Sequence, residues 1–157
     1  MKKHHRTLRT ALFVLGVAIA LMALMPILAF EDVSYTGYEV AFGKELIDVN
    51  PFNLGSIASA HLPFSIAATL AFSLPLVAGV LVLASKRATG ISLIMFIAAL
   101  VLLVRLPETA EILTIIAGNE NTISVDWSID EGLYIAIALT GLAIVGSGTL
   151  TLLEKNI

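Results

Sequence analysis

Residues 132–153, GLYIAIALTGLAIVGSGTLTLL, form a run of 22 residues without a charged side chain. A helix needs about 20 mostly apolar residues to cross the hydrocarbon core of a bilayer, so this run is long enough to span a membrane. Small residues recur at every fourth position, at Gly132, Ala136 and Thr140 and again at Ala143 and Ser147. Because such a face permits close helix contact in lipid, we expect it to pack inside a bundle.

Three further apolar runs precede this one, so the chain is predicted to be an all-α transmembrane protein with a four-helix bundle. The predicted spans cover residues 9–30, 61–85, 88–106 and 132–153, and the intervening loops cover 31–60 and 107–131. The composition is 58% hydrophobic and 13% charged, with a mean hydropathy of +0.96. Soluble domains average about 25% charged residues. We therefore expect one integral membrane domain over residues 1–157.

Two features of the spans leave alternatives open. The first run, Ala11–Phe30, follows a basic leader and is either a retained helix or a cleavable signal peptide. The apolar region of a signal peptide has only about 7–15 residues, and Ile27 suits cleavage after Ala29 poorly, so we favour retention. Pro75 lies inside the second run, where it predicts a helix kink. That kink serves helix packing or, alternatively, a gating hinge.

The distribution of charge predicts the orientation. Seven of the nine basic residues lie on one side of the predicted spans, and eleven of the twelve acids lie on the other. Basic residues are enriched in cytoplasmic segments, so both termini are predicted to be cytoplasmic and the two long loops extracellular. The short turn with Lys86 and Arg87 lies on the cytoplasmic side. The outer face is therefore expected to be strongly acidic.

Period-two patterns in both outer loops predict a small extracellular antiparallel sheet that caps the bundle. In the first loop, Tyr38, Val40 and Phe42 alternate with other residues as on one face of a strand, and Gly43-Lys44 suits a hairpin turn. Residues 45–49 would return as a second strand that ends at Asn50-Pro51.

The second loop has two halves with different patterns. Residues 107–118 suggest a short amphipathic helix or an extension of the third span. Residues 123–129 alternate as in a half-buried strand, with Val125 and Trp127 on its apolar face. We expect this strand to pair with the first-loop hairpin. Trp127 and the first-loop tyrosines also suit the headgroup level of a membrane.

The predicted topology resembles the claudin and tetraspan group, with four spans and a longer, β-forming first outer loop. The claudin signature of Gly-Leu-Trp and two Cys is missing, because Tyr35-Thr36-Gly37-Tyr38 stands in its place and the chain has no Cys. Residues 35–43 resemble more closely a segment that follows the first span in small uncharacterised four-helix membrane proteins of Gram-positive bacteria. That resemblance implies a bacterial cell membrane and brings no activity with it.

Arg105 stands out among the charged residues, because a charge near the end of a span is costly unless it pairs or reaches the interface. Glu108 lies three residues further on and is a candidate partner on the same helix face. We expect a structural ion pair or an interfacial anchor, with an anion-binding role as the alternative.

Other polar candidates lie near the ends of the spans: Glu31, Asp32, His61, Asp130 and Glu131. Oxygen-rich clusters suit calcium, but no sequence motif for calcium, zinc, nucleotide or hydrolase sites occurs. We therefore predict a solvated acidic rim, an interfacial His61, and no catalytic residue, metal or cofactor.

The interiors of the spans contain no Asp, Glu, Lys, Arg or His, whereas ion pathways normally place ionisable groups at depth. We therefore expect a non-enzymatic interaction module that uses its acidic outer face. Its expected partners are the lipid bilayer and another membrane or envelope protein or a second copy, and not nucleic acid. The alternative is an oligomeric channel or small-molecule transporter.

Overall fold

The computed structural model describes residues 2–49, 58–85 and 88–155. Its helices are α1 (Lys2–Leu21), α2 (Gly37–Phe42), α3 (Ile66–Ala84), α4 (Thr89–Thr109) and α5 (Glu131–Lys155). All except the short α2 are long and apolar enough to cross a membrane. Helix α1 packs on α3, α3 on α4, α4 on α5, and α5 again on α1. This closed ring confirms the predicted bundle of four helices.

Strands at one end of the bundle form two antiparallel sheets. The first has the order β2-β1-β7 and the second β3-β4-β5-β6. The strands are β1 (Pro26–Phe30), β2 (Val33–Thr36), β3 (Lys44–Val49), β4 (Ala58–Leu62), β5 (Glu111–Ile116), β6 (Asn119–Ser124) and β7 (Ser128–Ile129). In both sheets, strands that precede α3 pair with strands that lie between α4 and α5. A sheet built from both loops was predicted, but a single sheet was expected and there are two. We call the seven strands and α2 the head.

The ends of two predicted spans are wrong, because they are strands of the head. The first span was expected to reach residue 30, but α1 ends at Leu21 and a 3-10 turn leads into β1. Pro26 disfavours a helical residue before it, and Met25 is extended, with φ −91° and ψ 155°. Residues 61–62 belong to β4, and α3 follows Ser65, whose hydroxyl accepts a hydrogen bond from the Ala68 N–H at 3.2 Å.

The predicted strand through Tyr38, Val40 and Phe42 is helix α2. Thr36 and Glu39 form a reciprocal cap at its start: the Thr36 hydroxyl accepts from the Glu39 N–H at 3.3 Å, and the Glu39 carboxylate accepts from the Thr36 N–H at 2.9 Å. This cap favours a helix over the strand that alternation suggested. The second predicted strand exists as β3, but it pairs with β4 rather than with residues 38–42.

The second loop differs from its prediction in a similar way. Helix α4 continues through Pro107 to Thr109, as one alternative allowed, but residues 111–116 form β5 instead of a helix. Ile123 lies in a strand as predicted, but this strand, β6, ends at Ser124 and pairs with β5 rather than with the first-loop hairpin. Val125 and Trp127 lie in the connection to β7, and neither belongs to a strand.

Small residues allow the helices to approach closely. The predicted face of α5 is buried, with Gly132, Ala136, Thr140, Ala143 and Ser147 all inside the protein. At the crossing of α1 and α3, a Cβ added to Gly16 would overlap the carbonyl oxygen of Pro75. This contact supports a packing role for Pro75. The predicted basic turn at Lys86 and Arg87 and the predicted turn at Asn50-Pro51 lie outside the described residues.

Candidate docking site in the head

Trp127 is the centre of the head, and its side chain is buried in the protein instead of forming the exposed anchor that its sequence context suggested. Its indole N–H donates to the Ala110 carbonyl at 2.7 Å. The rings of Phe30 and Tyr35 meet it edge-on, with centroids 6.0 Å and 5.5 Å away. Trp127 therefore fastens the first sheet to the end of α4, which continues directly into the second sheet.

An open groove of about 600 Å³ separates the two sheets. Phe30, Val33 and Tyr35 line it from the first sheet, and Ile112 and Ile123 line it from the second. Clefts of about 300–1,000 Å³ with mainly apolar walls are typical of binding sites. The groove is therefore large enough to receive apolar side chains of a partner.

Lys44 contributes the positive charge at this groove, and that charge already has partners. Its Nζ lies 2.6 Å from Glu39 Oε1 and 5.6 Å from the centre of the Tyr35 ring. Partial burial raises the pKa of Glu39, but hydrogen bonds from Lys44 and Thr36 outweigh it and hold the pKa below its ordinary value of 4.5. Lys44 therefore stabilises the junction of α2 with β3.

The other face of the four-stranded sheet is acidic. The register places Glu45 opposite His61, and Asp48 opposite Ser59. Ser59 in turn stands opposite Ile115, and Ile115 opposite Glu120. Residues directly opposite one another in antiparallel strands share a face. Alternation from Ile115 adds Glu111, and we call Asp48, Glu111 and Glu120 the acidic face. Glu45, beside the bulge of β3, also lines the groove.

Strand β6 forms an edge of this sheet, next to both the groove and the acidic face. All six of its residues are exposed, and its register against β5 is continuous. It contains no Pro or Lys. The opposite edge strand, β3, begins with Lys44 and is interrupted by a bulge between Glu45 and Ile47. Because Lys, Pro and bulges protect sheet edges, β6 is the less protected edge of the two.

The acidic residues near the span ends, Glu31-Asp32 and Asp130-Glu131, do not form one metal-binding cluster in the described part of the chain. Glu31 and Asp32 form the exposed turn between β1 and β2, with φ 53° at Glu31. Asp130 accepts from the Ser34 hydroxyl and from the Glu131 N–H, both at 2.8 Å. These two bonds hold the pKa of Asp130 below its ordinary value of 3.8. In the described ranges, no three acidic or histidine side chains are placed to hold a metal ion.

The remaining predicted candidates lie apart from one another. Arg105 is exposed near the end of α4 and makes no ion pair with Glu108 or with any other residue that the structure describes. His61 is half-buried in β4, instead of at the start of a helix, with Glu45 and Leu113 opposite it. Glu108 and Glu131 are both exposed.

Sequence reasoning missed the polar cluster at the bundle end opposite the head. There Arg9 forms an ion pair with Glu154, whose second oxygen accepts from the Thr89 hydroxyl at 2.7 Å. The Arg9 and Glu154 side chains are only 12% and 17% exposed. This cluster joins α1, α4 and α5. Arg9 and Glu154 are 145 positions apart in the chain, so no local sequence pattern predicts their contact.

The groove and the edge of β6, which no other described strand covers, were also missed, because the sheet that contains them joins segments that are distant in the chain. The alternation of apolar and polar residues that begins at Ile123 was the sequence pattern that pointed to this part of the head. A scan against protein-family models finds no match to this chain, and searches of curated proteins and of solved structures find no significantly similar protein. The geometry of the head is therefore the basis for any functional conclusion.

Proposed function

We propose that this protein is a non-enzymatic membrane module whose head binds an extended segment of another membrane or envelope protein. The observation that carries this proposal is the exposed edge of β6. An unpaired strand edge offers N–H and C=O groups to an added strand, which is a recurring mode of peptide recognition. Both termini would be cytoplasmic and the head extracellular, as the distribution of basic residues favours.

The two faces that meet at β6 suggest the chemistry of the added segment. Glu120 and Thr122 stand on the acidic face, whereas Asn121 and Ile123 alternate onto the groove face. A strand paired with β6 would place every second side chain on each face. Basic residues alternating with apolar residues would therefore complement the edge. Two copies of β6 would instead bring their own acidic faces together, which disfavours self-pairing.

The experiment measures binding of a synthetic Lys-Val-Lys-Val-Lys-Val peptide to the protein in nanodiscs. The control peptide carries N-methyl groups on the residues whose N–H groups face β6, so its charge and side chains are unchanged. We expect roughly tenfold weaker binding of the control, since each lost hydrogen bond is worth about 0.5–1.5 kcal/mol. Equal binding of both peptides would contradict strand addition.

A matched protein variant separates strand addition from general attraction to an acidic surface. Thr122→Pro removes a backbone N–H from the edge strand and leaves every charge in place. Thr122 is exposed on β6 and can be replaced without the loss of a helix cap. Thr36, on the edge strand β2 of the other sheet, is not used because its side chain caps α2. We expect Thr122→Pro to weaken binding of the unmethylated peptide and to leave binding of the N-methylated peptide nearly unchanged.

The alternative function, an oligomeric channel or transporter, has less support. Pro75 packs against Gly16 at a helix crossing, and the small-residue face of α5 is buried within the bundle. Neither feature is free to line a pore between copies. Uptake or conductance by the purified protein in liposomes would favour the alternative over our proposal.

A further inference from the structure

Three aromatic side chains form an exposed patch where the head meets the bundle. Tyr38 and Phe42 lie one turn apart on α2, with ring centroids 4.8 Å apart, and Phe64 lies 6.3 Å beyond Phe42. Each of the three residues is 56–57% exposed. We call them the aromatic patch. Large aromatic side chains are seldom clustered on a water-exposed surface without a partner, so this patch is expected to have one.

The aromatic patch continues the apolar surface of the bundle. Phe64 precedes the first residue of α3 by two positions. The outward-facing side chains that follow, Ile66 and Leu70, are 66% and 42% exposed. An apolar helix surface of this kind faces lipid in a bundle that crosses a membrane. The patch therefore borders the lipid-facing surface of α3 at its head end.

Two exposed residues with polar tips lie at the same end of the bundle, one on α4 and one on α5. Tyr134 is 61% exposed and lies three residues inside the start of α5. Arg105 is exposed and lies four residues before the end of α4, without an ion-pair partner in the described chain. At 1.5 Å per residue, both lie within about 6 Å of the head end of their helices.

The length of α5 between Tyr134 and the polar cluster matches the thickness of the hydrocarbon core of a bilayer. Glu154, in the polar cluster with Arg9 and Thr89, follows Tyr134 by 20 residues. That separation corresponds to about 30 Å of helix, which is the thickness of the hydrocarbon core. The polar cluster and the level of Tyr134 therefore lie one hydrocarbon thickness apart.

We propose that Tyr38, Phe42, Phe64, Arg105 and Tyr134 form a belt that binds the headgroup region of the lipid leaflet on the head side. Aromatic rings are enriched at this depth because they combine an apolar body with a polar edge or hydroxyl. The Arg105 guanidinium extends from the helix to donate hydrogen bonds to a lipid phosphate, and its stem stays among the acyl chains. The belt is independent of the partner proposed for β6.

The absence of Cys from the chain allows a direct test, because each introduced Cys is unique. Phe42→Cys, Phe64→Cys and Tyr134→Cys are labelled with the fluorophore NBD in phosphatidylcholine nanodiscs. The matched controls are Ile47→Cys in the head, 61% exposed, and Val145→Cys in mid-span, 69% exposed. Quenching is compared between lipids that carry a spin label near the headgroup and lipids that carry it near the chain end.

We expect the three belt positions to lose most fluorescence with the headgroup label, Val145→Cys with the chain-end label, and Ile47→Cys with neither. Belt positions that behave like either control would overturn the proposal. For Arg105, the guanidinium-carbon signal that the native protein has and Arg105→Gln lacks is expected to show carbon–phosphorus dipolar dephasing. A difference signal without dephasing would remove Arg105 from the belt.

Discussion

The bundle and the head share one continuous buried core, but different interactions hold each of them together. In the bundle, glycine and other small residues bring helix backbones into contact, as at Gly16 and Pro75. In the head, large rings fill the space between two sheets, as Trp127, Phe30 and Tyr35 do. The bundle should therefore be damaged most by added atoms and the head by removed atoms.

The largest effect is expected from Trp127→Ala in the head. Removing a buried aromatic side chain costs about 3–5 kcal/mol through lost burial and a cavity. We expect the head to lose resistance to limited proteolysis while the helix content from circular dichroism is retained. Trp127→Phe keeps most of the side-chain volume and removes the hydrogen bond to Ala110. Its loss of proteolytic resistance should therefore be intermediate. A head equally resistant in all three proteins would contradict this contrast.

Gly16→Ala is the corresponding change in the bundle, where it adds a single methyl group. The new Cβ would overlap the Pro75 carbonyl oxygen, and backbone cannot move aside as a side chain can. Overpacking of this kind costs about 1–3 kcal/mol, and we expect the upper part of that range in SDS-induced unfolding. Gly148→Ala is the control, since a Cβ there meets nothing within 4 Å. Similar destabilisation by both variants would argue against a specific crossing.

Glu154→Gln tests the polar cluster that joins three helices at the end opposite the head. The change leaves the mostly buried Arg9 without its counter-ion, and hydrogen bonds to charged groups contribute about 1.5–3 kcal/mol. We expect a loss of stability near the lower limit of that range in the same unfolding assay, because the cluster lies at the end of the bundle and is partly exposed. Glu120→Gln, at an exposed site on β6, should leave the stability unchanged.

The head should lose stability in acid. The folded-state pKa values of Glu39 and Asp130 lie below their ordinary values of 4.5 and 3.8, so the unfolded chain binds these protons more readily. The two carboxylates stabilise the fold fully at a pH above their ordinary pKa values. This stabilisation is lost as the pH falls through their lower pKa values in the folded protein. Proteolytic resistance of the head should decline in that window. Asp130→Asn should weaken the dependence on pH.

Ser147→Ala is expected to have the smallest effect. The Ser147 hydroxyl is buried in α5 and has no hydrogen-bond partner among the residues that the structure describes. Its removal should change the free energy of unfolding by less than about 0.5 kcal/mol, or should stabilise the protein slightly. Marked destabilisation would show that a polar contact, rather than close packing, holds this part of the bundle.

The sequence predicted the bundle well because long apolar runs have few alternative structures. It misplaced Pro26–Phe30 and residues 61–62, since a buried strand and the end of a buried helix share the same apolar composition. In α2, period-two alternation competed with the Thr36 and Glu39 cap, and the cap determined the structure. The cap was visible in the sequence and could have corrected that prediction.

The candidate docking site was predictable only in part. The side of the spans on which the acids lie follows from their order along the chain. Strand register determines which acids lie on the acidic face, which form the Glu31-Asp32 turn, and that Asp130 meets Ser34. Register in turn depends on contacts between segments more than 50 residues apart, such as Ala60 with Thr114. Single-sequence patterns contain little information about such pairs.

The division of both sheets between two distant segments has a consequence for biosynthesis. Strands β1 to β4 leave the ribosome well before β5, β6 and β7, with α3 and α4 in between. Until the later strands arrive, β1 and β4 each lack a neighbour that they have in the finished sheets. Such open edges favour mispairing. The nascent head therefore passes through an interval in which a chaperone that shields strand edges would improve its yield.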